Sequence, residues 1–375
     1  MSNKAPLDYQ LNTAFGTKKF TLSKLLIDPI LVFSLLTILI FGLFVLFSAS
    51  GQTVVMVMKQ SIYVAIGLFL MFFISRLDQS VYKSFLMHLF WLGLILLSWV
   101  LLFPAEGYKT DRWIDLGFIS FQPSEVIRLL LPLAAASYLT RNQKRNTIKD
   151  WLVVLVAILS SSFLIFKQPD LGTALIVLAS GCIPVFLAGF PLLILIILIM
   201  VVIISSPFLW ASLTPYMQQR IITLFNPESD LLGAGWNISQ SKTAIGSGGF
   251  WGKGYLNGTQ SQLDFIPESH SDFIFSVIGE EFGFLGIFLL LMLYGIILYR
   301  VFKIALNSST EFSRLAATSI GFIFLIYIWI NVSMTVGTLP VVGVPLPLIS
   351  QGGTSILIHL VAFGFVLSMK RRQTW

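Results

Sequence analysis

Metal-binding side chains are nearly missing from this chain: one cysteine, Cys182, and three scattered histidines, His88, His270 and His359, among 375 residues. A lone cysteine excludes an internal disulfide, and Cys182 sits in an apolar run where packing is its ordinary role. With no HExxH and no Cys/His cluster, a dedicated zinc site is not expected. Charge is scarce too, at 11% of residues. The net charge is +7, yet the cations are dispersed among apolar runs and form no basic surface with interleaved aromatics, which argues against a nucleic-acid partner. No cleavable signal is expected at the N-terminus, because the first apolar run starts near residue 29, is long enough to span a bilayer, and lacks a small-residue cleavage pattern. The glycines at 246, 248, 249, 252, 254 and 258 have neither G-x-x-x-x-G-K-S/T spacing nor an α/β setting, which argues against a nucleotide-binding loop.

What the chain has in excess is apolar length. It is 56% hydrophobic, with a mean hydropathy of +0.87, and it repeatedly runs about 20 residues without a charge, the length a bilayer-crossing helix needs. Candidate spans fall at 29–49, 61–75, 85–103, 123–139, 151–166, 171–189, 192–210, 273–299, 315–336 and 355–369. The expectation is an all-α polytopic membrane protein of about ten transmembrane helices, a single integral membrane domain over 1–375. Residues 1–28 form a cytoplasmic segment and 211–271 one long extracytoplasmic loop. The fifth and sixth spans meet at a polar break, Lys167, Gln168, Pro169 and Asp170, of the kind tolerated in a membrane only where neighbouring protein satisfies the freed backbone.

Basic residues set the expected orientation. With the N-terminus inside, 16 of the 24 lysines and arginines fall on the cytoplasmic side, mostly in short loops or beside span ends, while 12 of the 17 acids fall outside or near the outer face. By the positive-inside rule both termini are cytoplasmic.

The outer segments locate the chemistry. Residues 104–122 carry Glu106, Lys109, Asp111, Arg112, Trp113 and Asp115 and lead into Pro123, Ser124, Glu125 and Arg128. Proline and an acid in the first turn read as a helix start. Glu125 and Arg128 are either an i,i+3 ion pair at the interface or the wall of a polar groove, since charges inside a membrane helix face protein or a water-filled cavity. The Lys167 to Asp170 break is a turn with an ion pair or a second wall of that groove. In the 211–271 loop, 236–245 reads as a short interfacial helix carrying Lys242. The following glycines read as flexible turns whose N–H groups, with Lys242, Lys253 or Arg220, can hold a phosphate. Residues 337–353, GTLPVVGVPLPLISQGG, cannot continue a helix and read as a partly apolar re-entrant loop or a rigid turn. Asn331, Ser333 and Thr335 before it, and Ser350, Gln351, Thr354 and Ser355 in and after it, supply neutral polar contacts. The richest stretch is 262–284, QLDFIPESHSDFIFSVIGEEFGF, where carboxylates and His270 stand at a loop-to-helix junction. Asp272 there is either a helix cap or a reacting group, and Glu280 and Glu281 lie about two turns further on, with one of them available to brace the groove or to pair with Arg128.

Four segments, RWIDLGFISFQPSE, KQPDLGTA, PESHSDFIFSVIGEEFGFLG and NVSMTVGTLPVVGVPLPLISQGGTS, resemble the shape, elongation, division and sporulation family, and the likeness runs from the first span to the last. It is nearer to the family's elongation branch than to its division branch. The resemblance implies a ten-span fold and peptidoglycan glycosyltransferase activity on lipid II, with Asp272 as the catalytic carboxylate of an H-[ST]-D-F-I-F motif. It also implies an outer polar groove with Glu125, Arg128, Lys167 and Asp170, and Pro267, Glu268 and His270 supply the P-E-x-H element; to this groove for substrate or diphosphate the reading of the residues adds Lys242, Arg112, Glu268, His270 and Glu281. Gln351 departs from the tyrosine of many relatives, and Asp264 replaces a glutamate of the division type.

The chemistry so implied is attack of an acceptor sugar hydroxyl on the anomeric carbon of a glycan carried on polyprenyl diphosphate, with Asp272 taking the proton. Cations stabilise the leaving diphosphate, the candidates in order being Arg128, Lys167, Lys242 and Arg112. No cofactor is required by the sequence; Mg²⁺ or Mn²⁺ on the diphosphate is chemically reasonable. Implied partners are a class B penicillin-binding protein with transpeptidase activity, other elongation-machinery proteins, lipid II and the polyprenyl-diphosphate-linked glycan. The alternatives are a lipid-precursor flippase, which ten spans with proline and glycine breaks would also suit, and a noncatalytic cell-wall scaffold.

Overall fold

A backbone in lipid must satisfy its own polar groups, so charge-free runs of this length close into helices. The computed structural model describes residues 28–103, 112–115, 120–141, 146–225, 234–263 and 265–370. In chain order the elements are α1 Pro29–Ala49, α2 Val54–Arg76, α3 Gln79–Leu102, β1 Ile114–Asp115, β2 Ser120–Phe121, α4 Pro123–Leu139, α5 Ile148–Lys167, α6 Leu171–Leu187 and α7 Leu192–Ser212. They continue as α8 Pro215–Phe225, α9 Ala234–Ser247, α10 Thr259–Gln262, α11 Ile274–Leu306, α12 Glu311–Thr335 and α13 Gly353–Ser368. Glu106, Lys109, Asp111 and Asp264 lie outside the described residues.

Six of these helices (α1, α2, α3, α5, α11 and α12) are long and apolar enough to cross a membrane by length and composition alone. With the shorter apolar α6 and α13 they make the helical polytopic membrane protein expected, and α4 and α7 fall on the two remaining candidate spans. Several spans are longer than the apolar runs that announced them. α2 starts at Val54 rather than 61, α3 at Gln79 rather than 85, and α11 runs to Leu306 rather than 299. The extra turns carry Lys59, Gln60, Lys83, Arg300 and Lys303. Polar residues end a hydrophobic run without ending a helix; caps do that. Asp28 caps α1 by accepting from Leu31 N–H at 3.1 Å with Pro29 in the first turn, and Asp170 caps α6 through Thr173 N–H at 3.1 Å.

α12 is the most enclosed of the six long spans and packs on α11, α4 and α6, while α13 packs along α2, α3 on α4, and α1 on α11. Water drives nothing together inside a bilayer, so close contact depends on small residues. On the α2–α13 seam a Cβ at Gly67 would stand 2.5 Å from Leu360 Cδ1, and one at Gly364 would stand 2.9 Å from the Met71 carbonyl.

The two ends of the bundle differ. One gathers Asp28 with Arg300, Arg141 with Asp150, and Glu311 with Arg314. The other gathers the β1–β2 ribbon, α8 to α10 and the segment 337–352, and that segment is re-entrant. Val344, Leu346, Leu348, Ile349 and Ser350 are all buried. Tyr294, well inside α11, donates to the Pro347 carbonyl at 2.6 Å, and a Cβ on Gly42 of α1 would stand 2.9 Å from the Leu348 carbonyl. Leu348 has φ +66°, a costly backbone for a leucine that persists only where the surroundings over-determine it. The segment is thus a packed plug rather than a surface turn.

Candidate active site

Asp272 belongs to the turn that precedes α11. Phe273 holds the N-cap position, without a side-chain capping bond, so Asp272 stands two residues before Ile274, the first residue of the helix. The turn builds itself: the N–H groups of Ser271 and Phe273 reach the Glu268 carbonyl at 3.2 and 3.1 Å, and Ser271 Oγ donates to Glu268 Oε2 at 2.6 Å. Ile266 and Phe273 anchor it in an apolar cluster with Ile238 and Ala244 of α9 and with Val341. Ser269 Oγ ties it to the end of α1 through the Ala49 carbonyl, 3.0 Å away. Asp272 and His270 are half-buried and Glu268 is exposed. The Asp272 carboxylate faces the re-entrant segment at Gly343, where a Cβ would stand 3.5 Å from Oδ2. Asn331 of α12 donates its amide to the Asp272 carbonyl at 2.9 Å.

A second polar cluster lies between α4, α6, α12 and α13. Arg128 is buried and donates to Ser355 Oγ at 3.1 Å, and its guanidinium carbon lies 4.3 Å from the centroid of the Tyr327 ring. Glu125, also buried, is hydrogen-bonded to Thr354. Among the described residues no ion pair within 4.0 Å joins Glu125 and Arg128, so the simple i,i+3 pair gives way to a cation on an aromatic face. His359 stands edge-on to Tyr327, with Nδ1 2.8 Å from the Ser355 carbonyl; a carbonyl only accepts, so Nδ1 carries the proton. Asp170 pairs with Arg112 at 3.3 Å, and Arg112 also donates to the carbonyls of Gln168 at 3.0 Å and Pro169 at 2.5 Å. Gln168 is buried and donates to the Leu97 carbonyl at 3.0 Å. The break between α5 and α6 is therefore stitched by Arg112 from one side and α3 from the other.

Several assignments move. Lys167 does not join this cluster; it is exposed, with its ammonium 5.5 Å from the Phe163 ring centroid. Lys242 is exposed on α9, and its side chain lies over Gly337 at the carboxyl end of α12, where the helix dipole favours a cation. Glu281 does not reach Arg128; it accepts from Ser48 Oγ of α1. Nor do the glycines of 246–258 form flexible turns or leave Lys253 to hold a phosphate. α11 is broken at Gly283, with φ +64° and ψ −160°, and the glycine-rich loop repairs the break. Lys253 and Gly254 N–H donate to the Glu280 and Glu281 carbonyls at 2.9 and 3.0 Å, and Phe284 and Leu285 N–H donate to those of Gly249 and Phe250 at 2.9 and 3.1 Å. A Cβ on Gly252 would overlap the Glu281 carbonyl. Lys253 Nζ closes the clip by pairing with the fully buried Glu280 at 2.7 Å. Tyr255 stacks on Phe44 with centroids 3.8 Å apart and donates to its carbonyl at 2.9 Å; burial, reinforced by nearby Glu281, pushes its phenol up and keeps it a donor.

Sequence reasoning passed over Tyr327, Gln60 and Ser48. A polar or phenolic residue within an apolar run was the available signal. Among the described residues no group of three His, Cys, Asp or Glu converges as a preformed metal cage. An apolar cavity of about 290 Å³ between α3, α4 and α5, lined by Trp91, Ala134 and Ala157, lies toward the opposite end of these helices from Asp272.

A family model described as cell cycle protein, named for FtsW, RodA and SpoVE, matches residues 28–374. Among curated proteins, the peptidoglycan glycosyltransferase MrdB of Escherichia coli is 40% identical over 353 residues, covering 94% of this chain and 95% of its own. A probable peptidoglycan glycosyltransferase FtsW of Coxiella burnetii is 36% identical, covering 91% and 95%. Among solved structures, a chain of a peptidoglycan synthase complex that coordinates polymerization and crosslinking superposes with a TM-score of 0.80 at 31% identity, covering 92% and 97%. The rod shape determining protein RodA of Thermus thermophilus superposes at 0.70 with 29% identity over the same shares.

Proposed function

Since the chain belongs to the FtsW, RodA and SpoVE family of cell cycle proteins, we propose that it is a peptidoglycan glycosyltransferase that polymerises lipid II into glycan strands during cell elongation. The observation that carries the reading from family to site is the placement of Asp272: half-buried, two residues before the first residue of a membrane helix, against a packed re-entrant segment at the end of the bundle where the polar loops collect. In the proposed orientation this end faces outward, and the end bearing Arg76, Lys83, Arg141, Arg300, Arg314 and Lys370 faces the cytoplasm with both termini, as the positive-inside rule requires.

The step is a single displacement. The acceptor hydroxyl oxygen bonds to the anomeric carbon of the donor, the bond from that carbon to the diphosphate oxygen breaks, and polyprenyl diphosphate leaves with the electron pair. Asp272 takes the hydroxyl proton, a role that needs one carboxylate within hydrogen-bond reach. The result is inversion at the anomeric carbon. Arg128 and Arg112 are committed to Tyr327 and Asp170, so they shape the groove. Lys242, exposed on α9, the helix that packs against the Asp272 turn through Ile238 and Ala244, is the cation proposed for diphosphate. Mg²⁺ or Mn²⁺ would arrive on the diphosphate itself. The proposed protein partner is a class B penicillin-binding protein, supported by the similarity to a chain of a synthase complex that couples polymerization to crosslinking.

The test is purified protein with its transpeptidase partner in proteoliposomes carrying lipid II. Glycan polymer made by the wild type and lost in Asp272→Asn supports the reading. Precursor crossing the bilayer with no polymer from either form would make the protein a flippase; equal polymer from both would remove Asp272 from the chemistry.

A further inference from the structure

Three successive carbonyls, those of His270, Ser271 and Asp272, are each held by a different group of the re-entrant segment or its root. Gln351 N–H donates to His270 O at 2.9 Å, Ser350 Oγ to Ser271 O at 2.6 Å, and Asn331 Nδ2 to Asp272 O at 2.9 Å. The same Asn331 amide donates to Val344 O at 2.7 Å. Both acceptors are carbonyls, so the amide can point only one way. Ser350 Oγ in turn accepts from Leu346 N–H at 2.8 Å, and Gln60 of α2 donates to the Ser350 carbonyl at 2.9 Å. Asn331, Ser350 and Gln60 are all buried, where donors and acceptors cannot trade partners with water. Loops are ordinarily the least determined part of a fold; here a loop residue has its backbone fixed at three adjacent points by α12 and by a plug pinned to α2.

We infer that Asn331 and Ser350 are positioning residues for the Asp272 carboxylate: they clamp the backbone of 270–272 so that the side chain leaves it in one direction, beside Gly343. This rests on the reading of Asp272 as the reacting carboxylate. The side chains of both residues donate to backbone carbonyls, so their loss is expected to act on the rate of the step rather than on substrate capture. A misplacement of about 1 Å is enough to cost roughly 100-fold in rate.

The experiment compares wild type, Asn331→Ala, Ser350→Ala, Ser350→Thr and Asp272→Asn, each purified with the transpeptidase partner. Lipid II polymerisation kinetics are measured alongside amide hydrogen exchange of the peptide covering 268–276. The expected result is a kcat lower by about 100-fold in Asn331→Ala and by about tenfold in Ser350→Ala, with KM within threefold. Faster exchange should be confined to 268–276 and the re-entrant segment, and Ser350→Thr, which keeps the hydroxyl, should recover most of the rate. Unchanged exchange in 268–276, a rise in KM with kcat intact, or a Ser350→Thr as impaired as Ser350→Ala would overturn the inference. If Asp272→Asn is inactive while both alanine variants turn over normally, the clamp fails and the catalytic reading stands. If Asp272→Asn polymerises like wild type, the catalytic reading itself fails, and the clamp has nothing to aim.

Discussion

Arg128 lies on Tyr327, with 4.3 Å between the guanidinium carbon and the ring centroid, rather than against Glu125 one turn away on its own helix. The stack joins α4 to α12 in the interior of a membrane protein, where a desolvated cation–π contact is worth about 2 kcal/mol. Tyr327→Leu should therefore lower the thermal midpoint in detergent by several degrees, and Arg128→Lys should fall with it, because an ammonium neither stacks as a plane nor keeps the Ser355 bond in place. An Arg128→Lys protein as stable as wild type would show that charge alone matters there.

The Lys253–Glu280 pair makes a local prediction. Glu280 is fully buried, and removing its cation leaves it hydrogen bonds from Thr259, Gln260 and Ser261 but no compensating charge, at a cost of about 3 kcal/mol. Lys253→Met should expose 248–262 to limited proteolysis while the spans stay folded. Gly252→Ala should do the same more severely, since its Cβ would overlap the Glu281 carbonyl at a residue whose φ is +82°.

At the other end, Asp28 links α1 to Arg300 of α11. Burial alone would raise its carboxyl, but the bonds from Arg300 and the Leu31 N–H outweigh burial and hold it below the ordinary carboxylate range. A depressed folded pKa stabilises above the unfolded value of about 3.9, and the gain is lost as pH falls through the folded pKa. Acid unfolding of wild type should therefore steepen below about pH 4, and Asp28→Asn, less stable at neutral pH, should lack that dependence. Parallel curves for the two proteins would remove Asp28 from the account.

Lys242 is offered as the diphosphate cation. A charge-assisted bond to phosphate is worth about 1.5–3 kcal/mol, so Lys242→Met should lower kcat/KM for lipid II at least tenfold without shifting the thermal midpoint. An unchanged kcat/KM would leave Lys242 as a helix-end charge on α12.

Much of this was legible in the residues. Most of the spans follow from long apolar runs, and the junction at Asp272 and the polar break at Asp170 are visible as charges where an apolar chain should have none. What was illegible is pairing across sequence distance. Arg128 and Tyr327, or Asp272 and Asn331, sit in different helices, and nothing local says which faces meet. The glycines at 248, 252 and 254 were readable as special but not as a patch, because the break they mend, at Gly283, lies about thirty residues on. Gln60 is hard to read as a plug anchor for the same reason that the start of α2 is hard to place: a polar residue ends an apolar run, but the helix continues through it.

The central claim is that Asp272 supplies the reacting carboxylate, and the direct measurement is the single-turnover polymerisation rate of Asp272→Asn against wild type at equal lipid II binding and equal thermal midpoint. The account predicts a fall of about 10² to 10⁴-fold, the range of a lost general base, with binding unchanged. A rate within a few-fold of wild type would contradict it.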